Sequence, residues 1–73
     1  MHKDNETRLR EFGKNLGKTR KEKGMTQEEL GFQSGIDRSY ISGIESGRRN
    51  VALLNILKLA EALNVDPGSL FEY

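Results

Sequence analysis

No cysteine occurs among the 73 residues. That excludes a disulfide framework and any thiolate metal site. Histidine occurs once, as His2, in a charged N-terminal segment. One terminal imidazole cannot build a metal centre, so it reads as incidental and no metal is expected. Proline also occurs once, as Pro67, and no alternating run of branched or aromatic residues marks a strand. No apolar stretch is long enough to span a membrane, and residues 1–6 lack the apolar core of a signal peptide. The chain is therefore expected to stay in a reducing cytoplasm. Signals for catalysis are missing too. Glu28 and Glu29 are adjacent and would point about 100° apart on a helix, which rules them out as an acid/base pair. There is no glycine-rich phosphate loop. The reading is not an enzyme, with no cofactor and no small-molecule ligand.

What is present is one domain's length of chain with a modest core. The net charge is only +1, but it is unevenly spread. Residues 1–24 carry eight Lys or Arg against four Asp or Glu, residues 25–50 three against four, and residues 51–73 one against three. Such a chain can turn its basic end to an anionic polymer and its acidic end away. A solvated helix face is the competing explanation.

Helical spacing recurs along the whole sequence. Leu9, Phe12 and Leu16 follow a helical repeat, and a basic last turn at Arg20, Lys21 and Lys23 leads to a stop at Gly24. Thr26 and Glu29 stand three apart as a capping box for a second helix, which Gly35 ends. Asp37 caps a third, with Ile41 and Ile44 inward and Ser39, Ser42 and Gly43 outward. Gly47 closes it. A fourth helix places Leu53, Ile56, Leu57, Ala60 and Leu63 on one stripe, widened by Leu54 and Leu59. Asn64 to Asp66 break it. Asp66 and Pro67 then cap a last short helix, from which Leu70 and Phe71 return to the core. Phe32 is either exposed or packed under the first helix. The expected architecture is all-α, a compact bundle of five short helices.

Two helices joined by a tight turn, over about residues 26–45, resemble the lambda-repressor-like helix-turn-helix domain of the Cro/C1 family. The similarity covers about residues 9–71. It is carried by Met25-Thr26-Gln27-Glu28-Glu29-Leu30, by Ser34-Gly35-Ile36, and by Tyr40-Ile41-Ser42-Gly43-Ile44-Glu45-Ser46-Gly47-Arg48-Arg49-Asn50. Leu57 to Leu63 and Pro67 to Phe71 also match. Asp37 to Glu45 with Arg48-Arg49-Asn50 looks much like the controller proteins of restriction–modification systems. One departure is the start of the fourth helix. Many members place Pro then Ser or Thr where this chain has Val51 and Ala52, which removes a side-chain cap.

The resemblance implies double-stranded DNA as partner and assigns contacts. Gln27 would touch a phosphate. Arg38 can make two hydrogen bonds to guanine, with a phosphate contact or pairing to Asp37 as the alternatives. Ser39 and Ser42 can donate to bases or phosphates. The Tyr40 ring packs on the core edge while its hydroxyl can reach a phosphate. Gly43 reads as steric relief that lets the backbone approach DNA. Arg48, Arg49 and Asn50 follow the recognition helix, and one of the two arginines touches the sugar-phosphate backbone. Arg20 and Glu45 match an internal ion pair and read as structural.

One such domain buries only on the order of 600–1,000 Å² on DNA. Two copies on a two-fold symmetric operator are therefore expected. The homodimer surface is assigned to the fourth helix and the C-terminal turn, through Leu54, Leu70, Phe71 and Tyr73. The function so read is a sequence-specific transcriptional regulator, of the restriction–modification controller kind. An antitoxin-like module that binds a protein partner and autoregulates its operon is the alternative.

Overall fold

Four α-helices and one 3₁₀ turn follow one another in a computed structural model that describes residues 3–73. They are α1 (Asn5–Glu22), α2 (Gln27–Ser34), α3 (Arg38–Glu45), α4 (Leu53–Leu63) and the turn Pro67–Phe71. His2 lies outside the described residues. The all-helical expectation holds, and the count of five helices is corrected. The last element is too short for an i→i−4 ladder. It closes instead through Ser69 N–H to Asp66 O at 2.9 Å and Glu72 N–H to Ser69 O at 3.2 Å. No helix of the described residues is long and apolar enough to cross a membrane.

The caps at Thr26, Asp37 and Asp66 sit where the sequence places them, and α1 has a further cap at Asp4. Asp4 accepts from Thr7 N–H at 2.8 Å and opens α1 about one turn before its first apolar residue. Thr26 Oγ1 accepts from Glu29 N–H at 3.0 Å while Glu29 Oε1 accepts from Thr26 N–H at 2.8 Å. This reciprocal pair satisfies two of the donors that a helix start leaves unbonded. Gly35 ends α2 at φ +73°, a left-handed value that costs glycine no Cβ clash. Asn64 takes the same region at φ 56° to end α4.

Phe12, Leu16, Leu30, Ile36, Ile41, Ile44, Leu59, Ala60, Leu63 and Leu70 form the buried core. α1 packs on α3, α2 packs on α3 and α4, and the 3₁₀ turn bridges α1 and α4. The turn is pinned by Asn15, whose buried Nδ2 donates to Leu70 O at 2.9 Å and Ser69 O at 3.2 Å. Phe71 lies against Phe12 with ring centroids 5.0 Å apart. Leu70 is completely buried. Its assignment to a dimer surface is therefore wrong, because it fills the molecule's own core and has no face to offer a partner.

α4 turns its inner face slightly away from the expected one. Leu59, Ala60 and Leu63 are buried and Ile56 is half-buried, whereas Leu53, Leu54 and Leu57 are exposed. Leu59 is thus the centre of the stripe, and Leu53 and Leu57 lie outside it. Phe32 is exposed as well, at 87%. α4 starts at Ala52, which offers no side-chain cap. Ala52 is solvent-exposed, so a hydroxyl there meets no obstacle. Ala52→Ser should stabilise the domain by about 1 kcal/mol. Urea unfolding would register this as a higher midpoint at unchanged slope.

Candidate nucleic-acid interface

The face of α3 opposite Ile41 and Ile44 carries little apolar bulk. Arg38 and Ser39 are exposed there, and Ser42 is half-buried. The helix is held from within. Ile41 and Ile44 are buried, and α1 presses on its C-terminal end. A Cβ on Gly13 would collide with Ile44 O, and one on Gly17 would stand 3.0 Å from Glu45 Oε1. Two glycines four apart on one face of α1 let the helices come this close. That spacing is visible in the sequence and is the signal for the contact.

Asp37 opens α3. Its carboxylate accepts from Ser39 N–H at 3.1 Å and from the Ser39 hydroxyl. These donors, side chain first, hold the Asp37 carboxyl below its ordinary pKa. The Ser39 proton is therefore committed, and its oxygen is left as an acceptor. Arg38 makes no ion pair with Asp37; among the described residues the ion pairs are Lys3 with Glu11 and Arg20 with Glu45. Its guanidinium stands at the start of α3 with five N–H donors.

The loop after α3 is ordered by its own contacts. Gly43 O accepts from Arg48 N–H at 2.8 Å and from Arg49 N–H at 3.1 Å. Tyr40 OH donates to Asn50 O at 3.0 Å and accepts from Ala52 N–H at 3.4 Å. The tyrosine hydroxyl thus ties the loop, instead of standing free for a phosphate. Gly43 is buried, and the space above it is filled by the stem of Arg49, which a Cβ would strike. Its relief serves the chain's own loop, not the approach of an outside backbone. Arg49 then lays its guanidinium carbon 5.7 Å from the centroid of the Tyr40 ring. Cation–π contacts at exposed sites contribute about 0.5–1 kcal/mol, enough to bias the side chain toward one place. Arg48 and Asn50 are exposed beside it.

Gln27, the first residue of α2, is half-buried. Its Nε2 donates to Glu45 Oε1 at 3.0 Å. Arg20 reaches the same carboxylate with Nε to Oε2 at 2.7 Å and Nη2 to Oε1 at 2.9 Å, and its Nη1 donates to Met25 O at 2.7 Å. The hydrogen bonds it donates to Glu45 hold the Arg20 guanidinium above its ordinary pKa, against a smaller opposing effect of burial. The ion pair between α1 and α3 is as expected; the bond from Gln27 to it is new.

A helix-turn-helix family profile matches residues 10–70. The chain belongs to the helix-turn-helix family. It is similar to the control protein C.MunI of a Mycoplasma species, at 43% identity over 68 residues, which cover 92% of this chain and 90% of that protein. The fold is shared with the restriction–modification controller protein C.AhdI from Aeromonas hydrophila, at a TM-score of 0.88 and 54% identity, covering 89% of this chain and 98% of that one. It is shared also with the controller C.Esp1396I, solved as a tetramer in complex with its natural 35 base-pair operator, at a TM-score of 0.80 and 41% identity over 88% of this chain and 84% of that one. Each of these relatives is a control or controller protein.

Proposed function

We propose that this chain is a sequence-specific, DNA-binding transcriptional regulator of the restriction–modification controller kind. It acts in the cytoplasm as a homodimer on a two-fold symmetric operator, with residues 9–71 as the working unit. The observation that carries this reading is the outer face of α3. It is free of apolar bulk and starts with an unpaired Arg38, while its inner face and both ends are fixed. A helix held in that way can lie in the major groove without rearranging. Arg38 reads a base. Gln27 and Arg49 set the position of the sugar-phosphate backbone, with Ser42 and Asn50 alongside, while Ser39, its proton held by Asp37, offers its oxygen as an acceptor to a base edge. Arg49 is favoured over Arg48 because Tyr40 and Gly43 already fix its course.

Arg38→Ala should weaken binding by about 1–3 kcal/mol and relax the preference at one base pair of each half-site. Arg49→Ala should weaken all sequences alike and lower the salt slope by about one unit. Titration of both variants against operator duplexes with single base-pair changes checks this. A uniform loss for Arg38→Ala across all those duplexes would remove its base-reading role.

One observation favours the antitoxin-like alternative. Phe32 is 87% exposed on the outer side of α2, a position suited to a protein partner. That reading requires stoichiometric co-purification with a second protein from the native host.

A further inference from the structure

Glu45 stands where three elements meet. Its carboxylate takes two hydrogen bonds from Arg20 of α1 and one, at 3.0 Å, from Gln27 Nε2 at the start of α2. Gly17 leaves the room in which it sits. An ionised carboxylate can only accept hydrogen bonds. It therefore dictates which end of the Gln27 amide faces inward: nitrogen in, carbonyl oxygen away. The amide nitrogen carries a second proton, which this bond leaves unused. Arg20 meanwhile cancels the negative charge of Glu45 at a side chain that is only 11% exposed. An anion approaching Gln27 would thus meet a donor backed by a neutral pair, not by a bare carboxylate.

We infer that Glu45 is a positioning residue for the DNA backbone, acting through Gln27, whose second amide proton it holds ready for one phosphate oxygen in each half-site. The inference rests on the DNA-binding reading above and adds a role to a pair that otherwise reads as purely structural. A fixed amide meets the phosphate without first losing rotamer freedom, which a long polar side chain otherwise gives up on binding. Arg20 takes part only by keeping the carboxylate ionised and in place.

The test uses operator duplexes in which one phosphate at a time is replaced by an uncharged methylphosphonate. The fold-preserving variant is Arg20→Met/Glu45→Met. Exchanging both members of a buried pair for apolar residues of similar size is often neutral for stability. Wild-type protein should lose about tenfold in affinity at one phosphate per half-site, as expected for a hydrogen bond to a charged group. Gln27→Ala should bind the unmodified duplex about tenfold more weakly and ignore that replacement. Arg20→Met/Glu45→Met should match Gln27→Ala at that phosphate, and match wild type at every other phosphate and at each base change. If the double variant responds to all replacements as wild type does, Glu45 only holds the fold and the inference is overturned. A wild-type protein that no phosphate replacement weakens would overturn the DNA reading itself. A measurement on the free wild-type protein covers the case of a variant that does not fold. The heteronuclear NOE of Gln27 Nε2 should approach the backbone value. A value equal to that of the exposed Gln33 amide would also overturn the inference.

Discussion

Arg20→Ala should remove most of the stability of this domain. The change leaves Glu45 with a carboxylate whose side chain is 11% exposed and whose bidentate partner is gone. It also strands Met25 O, which Arg20 Nη1 reaches at 2.7 Å. Removing one partner of a buried pair costs about 3–5 kcal/mol. A domain of this size has a total near the low end of the usual range of about 5–15 kcal/mol. At roughly 4–8 °C per kcal/mol, the melting temperature should fall by about 12–40 °C. Thermal unfolding followed by circular dichroism is sufficient. A fall of only a few degrees would mean that water reaches the pair and that α1 does not depend on it to hold α3. The corresponding double change to methionine should restore most of the loss, because it leaves no charge uncompensated.

Leu54→Asp should yield a folded monomer that binds its operator about 10²–10⁴-fold more weakly. Leu54 is 68% exposed, and Leu53 and Leu57 stand exposed on the same helix. An apolar surface of this kind on a small domain is expected to be covered. Leu54 and Leu57 also line one shallow groove with Ala60, Val65 and Pro67. A second copy seated there would cover the patch and bring two α3 helices to one operator. Losing it removes the gain from linked binding, which is of the order quoted. Phe71 and Tyr73 are 51% and 61% exposed and can extend that surface. Leu70 cannot. Leu70→Asp should unfold the protein, since it would place a carboxylate in the core. Sedimentation at micromolar concentration separates the two substitutions. A Leu54→Asp protein that remains dimeric would move the interface elsewhere.

Much of this architecture is legible in local chemistry. Thr26 with Glu29, Asp37, and Asp66 with Pro67 each announce a helix start, and each cap is made. Gly35 and Gly47 announce ends, and both have positive φ. These features depend on residues no more than four apart, which a sequence displays directly. The inner face of α4 was harder. Leu53, Leu54, Leu57 and Leu59 are alike in chemistry, and only the angle at which α4 meets α2 and the 3₁₀ turn decides that Leu59 is inside. Leu70 follows the same logic. An apolar residue in a terminal turn fits an interface or a core, until Asn15 draws the carbonyls of Ser69 and Leu70 onto α1.

The side chains around α3 illustrate a second limit. Residue type tells what Tyr40, Gly43 and Gln27 can do, but not what they are already doing. Tyr40 spends its hydroxyl on the loop, Gly43 makes way for Arg49, and Gln27 is bonded to Glu45. Each of these partners is brought close by the fold, ten, six and eighteen residues away in the chain. Arg38, by contrast, keeps the freedom expected of it, exposed at the start of α3 and without an ion pair among the described residues.

Selection from a pool of randomised duplexes tests most directly whether the outer face of α3 reads DNA. The protein is mixed with the pool at moderate salt, and retained sequences are determined after several rounds. The expected result is enrichment of an inverted repeat whose half-site centres lie about 34 Å apart, one turn of B-DNA. The same selection with Arg38→Ala should give a repeat degenerate at one position per half. Retention of every sequence alike, with no repeat emerging, would contradict the claim that this domain is a sequence-specific regulator.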